Sequence, residues 1–101
     1  MLFGSVRMKP ATKPPFSQIW NLVVLLAGQQ FRTKRGLPFT YKVRGASVVP
    51  SRTAYQISQA DFQTVYTLVP LTGPGEVNTL VRGPAYVWAI LHDHRVSGGA
   101  W

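Results

Sequence analysis

Six consecutive residues, Phe39-Thr40-Tyr41-Lys42-Val43-Arg44, alternate strictly between apolar and polar side chains. Successive side chains of a strand point to opposite faces. A β-strand therefore gathers Phe39, Tyr41 and Val43 on one side and Thr40, Lys42 and Arg44 on the other. Gly45-Ala46 follows, a pair suited to a tight hairpin turn with glycine in its first central position, and Ser47-Val48-Val49 supplies the return. This register sets Val43 opposite Val48, an apolar cross-strand pair. Pro50 ends the return or marks it as an edge. The chain is thus committed to a hairpin with one face to bury and one face that is basic. Phe31-Arg32-Thr33 offers a short third strand, with Lys34-Arg35-Gly36 as its turn.

Helices must cover the apolar face. From Phe16 the pattern turns helical: Ser17 can cap, and Phe16, Ile19, Val23 and Leu26 recur at helical spacing. Trp20, Leu22, Val24 and Leu25 widen the stripe almost to a full circle, which predicts a buried helix ending near Gly28. A second helix is announced by Ser58 as N-cap, with Asp61 placed for an acidic capping box and Ile57 and Phe62 for a hydrophobic staple. Its inward stripe is Phe62, Val65, Tyr66 and Val69, stopped by Pro70. Leu71 to Gly75, which contains Gly73-Pro74-Gly75, is expected as loop. Glu76 to Val81 can form a short helix, and Pro84 suits the first position of another over the wholly apolar run Ala85–Leu91. Periodicity alone does not separate helix from strand in that run; the proline start favours helix.

The expected fold is a small single-domain α+β protein with a buried N-terminal helix, a β-hairpin or three-stranded sheet, and two or three C-terminal helices. At 101 residues and 46% hydrophobic composition the chain can bury one core. Residues 1–15, with three prolines, are expected as a flexible basic arm, 16–96 as the globular domain and 97–101 as a tail. Trp101 is either tethered or exposed.

Charge narrows the function. Residues 1–52 hold nine Lys and Arg and no acid, whereas residues 53–101 carry a net charge of −1, for +8 overall. Six of the cations, Arg32, Lys34, Arg35, Lys42, Arg44 and Arg52, lie on or beside the hairpin. A strand pair with one apolar and one cationic face can pack on helices while presenting charge to phosphates. Nucleic acid, DNA or RNA, is the expected partner, held at these six residues. Because Phe39 and Tyr41 share the face opposite Lys42 and Arg44, the hairpin favours phosphate tracking over base stacking. A competing reading is a non-catalytic assembly subunit that meets an acidic partner, or a copy of itself, through an apolar helix face.

Other functions are poorly supplied. There is no cysteine for disulfides, thiolate metal sites or nucleophilic attack, which suits a reducing, cytoplasmic setting. Three acids in the whole chain are too few for two-metal chemistry. His92-Asp93-His94-Arg95 places two histidines on one face only if extended, and reads better as a polar helix end. No Gly-x-Ser-x-Gly elbow, P-loop or dinucleotide pattern occurs. No enzyme activity, metal or cofactor is therefore expected. Helix–turn–helix spacing across residues 76–93 fails because its recognition helix, Tyr86–Leu91, is too apolar to face DNA. The apolar run Ile19–Ala27 is broken by Asn21 and far too short to span a bilayer.

Overall fold

The computed structural model describes residues 13–101. They form an α+β domain in which four helices and two small antiparallel sheets enclose one apolar core. Helix α1 spans Phe16–Leu25. Strands β1 (Phe31–Arg32) and β2 (Pro38–Phe39) make a short ribbon. Strands β3 (Tyr41–Arg44), β4 (Ser47–Pro50) and β5 (Ile57–Ser58) make the second sheet, in the order β3-β4-β5. Helix α2 (Gln59–Tyr66), a 3₁₀ turn (Pro74–Val77), α3 (Pro84–Leu91) and α4 (His94–Ser97) complete the chain.

The central hairpin has the expected register, with Val43 opposite Val48 and Gly45 at φ 58° in the turn. The third strand of its sheet is β5, paired through Ser47–Ser58 and Val48–Ile57. Phe31-Arg32 pairs instead with Pro38-Phe39. Pro38 is tolerated because it opens an edge strand, where its missing N–H removes no interior ladder bond.

Helix α1 buries one stripe rather than its whole circumference. Ile19 and Val23, one turn apart, are enclosed, while Val24 is 43% and Leu25 75% exposed. Ser17 lies inside the first turn, and Pro15 takes the cap position with no side-chain bond. The most enclosed helix is α3. Pro84 starts it at the position where its missing donor is harmless, and Val87, Ala89, Ile90 and Leu91 are all buried. It packs against α2, the 3₁₀ turn, β1 and α4. Gly83 precedes it at φ 60°, and a Cβ there would stand 2.6 Å from Ile57 Cδ1, so both conformation and space require glycine.

In α2, Ser58 Oγ accepts the Asp61 N–H at 3.1 Å, the expected cap. The reciprocal half of the box is not made: Asp61 Oδ2 accepts from the Arg82 N–H. Phe62, Val65, Tyr66 and Val69 are buried as their spacing implies.

Both ends of the described chain are tied down. Lys13 Nζ donates to Tyr66 O, in the last residue of α2, at 2.6 Å and to Val69 O just beyond it at 3.3 Å, placing a cation at the helix C-terminus. The Tyr66 hydroxyl donates to Pro14 O. At the other end, Trp101 Nε1 donates to Leu91 O at 2.8 Å and its ring meets Tyr66 edge-on. Lys13 is thus committed to packing, and the other two cations of the expected arm, Arg7 and Lys9, lie outside the described residues.

Candidate polyanion-binding surface

The surface begins with extended backbone from Pro38 to Arg44. Along it Phe39 and Tyr41 are buried, whereas Pro38, Lys42 and Arg44 are exposed and Thr40 half-buried. Paired residues of an antiparallel ladder share a face, so Arg32, opposite Pro38, joins this outward row. At 3.3 Å per residue the row from Pro38 to Arg44 is about 20 Å long, with Lys42 and Arg44 about 7 Å apart.

The orientation of the row is fixed from beneath. Tyr41 Oη donates to Val23 O at 2.5 Å, and Tyr41 O accepts the Gly28 N–H at 3.0 Å. Carbonyls in the last turn of a helix lack intrahelical partners, so this one residue satisfies the end of α1 and locks β3 to it. Burial pushes the Tyr41 phenol well above its ordinary pKa. Lys42 must therefore point outward, and Arg44 after it.

The six cations divide by what their heads do. Arg32 Nη1 donates to Gly36 O at 3.0 Å and closes the β1–β2 loop, which Thr33 N–H to Leu37 O and Leu37 N–H to Thr33 Oγ1 also brace. Arg52 Nε donates to Pro38 O at 2.7 Å and clasps the segment after β4 onto β2. Each guanidinium keeps further donors for an anion. Lys34 lies over Gly73, where an added Cβ would meet its Nζ at 2.7 Å, and close to Glu76. The Thr72 hydroxyl, chiefly, holds the Glu76 carboxyl below its ordinary pKa, with Lys34 a minor contributor. Arg35, Lys42 and Arg44 are exposed, and their side chains make no hydrogen bond or ion pair among the described residues. Five of the six thus fall on the two hairpins and Arg52 on the segment after β4; Arg32 and Arg52 are partly engaged through backbone carbonyls, and Lys34 lies near Glu76.

A seventh cation belongs beside them. Arg95 Cζ sits 4.2 Å from the Phe31 ring centroid, and Nη2 donates to Gln30 O at 2.7 Å, next to Arg32 on the first strand. Asp93 neutralises much of it through a bidentate pair at 2.9 Å, and Arg95 holds the Asp93 carboxyl below its usual range. A shallow cleft of about 330 Å³ lies between Arg32, Arg95, Trp88 and His92.

His92 is spent on structure. Its Nε2 accepts the Leu71 N–H at 3.0 Å, so Nδ1 carries the proton and donates to Trp88 O at 3.0 Å. The ring also stacks on Trp88 at 4.8 Å. Burial lowers its pKa. Among the described residues no three His, Asp or Glu side chains cluster to hold a metal ion. Nor, among them, is any helix long and apolar enough to cross a membrane.

The chain matches no protein-family model, no curated protein and no solved structure.

Proposed function

We propose that the protein is a small, non-catalytic nucleic-acid-binding module that grips the phosphate backbone through its cationic hairpins. One observation carries the reading: Lys42 and Arg44 stand exposed, without a side-chain partner among the described residues, on a strand whose opposite face is locked into the core, with Arg32 continuing the row. Cations held on rigid backbone bind phosphates without first having to be ordered. Arg35 and Lys34 extend the row at one end, and Arg52 supports it. A cytoplasmic setting suits a chain with no cysteine to oxidise.

The test is charge reversal, Lys42→Glu with Arg44→Glu, assayed on duplex DNA, single-stranded RNA and anionic vesicles. The reading expects wild-type binding to nucleic acid at low salt and its loss in the variant. Retention of full affinity by the variant, or vesicle binding alone, sinks it.

A second reading has one observation in its favour. Val24 and Leu25 leave an apolar patch at the end of α1, the kind of helix face through which an assembly subunit meets a partner or its own copy. Light scattering with and without nucleic acid separates the two: a defined oligomer abolished by Leu25→Lys supports assembly, and a monomer that enlarges only with nucleic acid supports binding.

A further inference from the structure

Base stacking on the hairpin's own aromatics is excluded by burial, since Phe31, Phe39 and Tyr41 all belong to the core. An alternative lies at the hairpin's edge. A groove of about 520 Å³ opens between the β1–β2 turn and the first turn of α3. Thr33, Lys34 and Arg35 form its polar wall, and Leu37, Pro74 and Tyr86 its apolar one. This volume is in the range of pockets that enclose a small organic group. Leu37 is 49% exposed where it faces this space. Tyr86 is braced from behind, its ring meeting Phe39 edge-on at 5.0 Å. The nearest acid, Glu76, is drawn back by the Thr72 N–H at 2.9 Å, so Arg35 has no carboxylate partner among the described residues.

The two walls ask for one ligand with two chemistries. A bare phosphate would leave Leu37 and Tyr86 uncovered, and an apolar group would leave Lys34 and Arg35 unpaired. A base in a duplex is stacked and does not enter such a groove. We propose that the groove takes one unpaired nucleotide of a single strand, its base against Leu37, Pro74 and Tyr86 and its phosphate at Arg35 and Lys34. This rests on the nucleic-acid reading above and adds a preference for single strands, with the remaining phosphates running onto the Lys42–Arg44 row.

The experiment uses the full chain and fluorescence anisotropy on a labelled single-stranded oligonucleotide and on its duplex, at one salt concentration. The wild type is expected to prefer the single strand by about tenfold, the scale of one base–aromatic contact. Leu37→Ser, a neutral change at a half-exposed site, and Tyr86→Leu, which keeps the Phe39 contact apolar, should each erase that preference. Duplex affinity should stay within about twofold. Circular dichroism checks that both variants fold. Equal affinity of the wild type for the two forms, or equal losses on both, overturns the groove assignment and leaves the hairpin reading standing. Failure of the wild type to bind either form at low salt removes both. Polyglutamate binding that depends on Leu37 while oligonucleotide binding does not assigns the groove to acidic peptide instead, and so overturns it.

Discussion

Neutralising Lys42 and Arg44 together should change affinity without changing the fold. Both side chains are exposed and make no bond among the described residues, so Lys42→Gln with Arg44→Gln should alter stability by less than about 0.5 kcal/mol. The effect on binding follows from counterion release. Each phosphate neutralised on duplex DNA contributes a slope of about −0.9 to log K against log salt. If the six hairpin cations all engage, the wild-type slope is about −5.4, and a fourfold rise in salt weakens binding by about 2,000-fold. With two cations removed the slope becomes about −3.6 and the loss about 150-fold. Arg32→Gln with Arg52→Gln should shift the slope similarly but also lower Tm, because those heads bond Gly36 O and Pro38 O. Fluorescence titrations at four or five salt concentrations, with a thermal melt of each variant, measure both quantities. A Lys42/Arg44 variant that melts like the wild type and keeps its slope within about 0.5 would refute the assignment of that row to phosphate.

Two further outcomes follow from the core beneath the surface. Tyr41→Phe leaves Val23 O buried without the hydroxyl it accepts from, which should cost about 1–2 kcal/mol and lower Tm by about 5–10 °C in a calorimetric scan. Low-salt nucleic-acid affinity at 20 °C should be unaffected, since no phosphate contact is removed. His92, half-buried and accepting from the Leu71 N–H, has a folded pKa below its ordinary 6.5. Its unfolded form therefore binds the proton more readily. The stabilisation is complete above about pH 6.5 and is lost as pH falls below it toward the folded pKa. Denaturant melts between pH 7.5 and 5 should show this decline, and His92→Gln should flatten it.

The parts of the fold legible in the sequence are those that local chemistry decides. Alternation over Phe39–Arg44 and the Gly45 turn specify the hairpin and its register, and Ser58 with the Phe62, Val65 and Tyr66 stripe specifies α2. Strands β1, β2 and β5 are two residues each. Two residues carry no periodicity. Phe31-Arg32 shows apolar then polar in any structure, and only its pairing with Pro38-Phe39 decides which ladder it joins. The exposure of Val24 and Leu25 is equally silent, because an apolar residue facing solvent reads like one facing the core.

The candidate site divides along the same line. That Lys42 and Arg44 share an outward face follows from alternation. Which cations are engaged does not, because their acceptors are backbone carbonyls, near for Arg32, which bonds Gly36 O, and remote for the others. Arg52 reaches back 14 residues to Pro38, Lys13 forward 53 to Tyr66, and Arg95 back 65 to Gln30. A carbonyl is present at every residue, so no side-chain pattern marks the one chosen. Arg95 escapes notice for a further reason: Asp93, two residues away, cancels it in any local count of charge, yet the pair lies against Phe31 beside Arg32. An exposed pair of this kind is worth little to stability. What it does is place a guanidinium and its carboxylate at the end of the basic row. If the row binds phosphate as proposed, the Asp93 carboxylate should repel the phosphate backbone that Arg35, Lys42 and Arg44 attract, which would set the row's boundary at Arg32 rather than at Arg95.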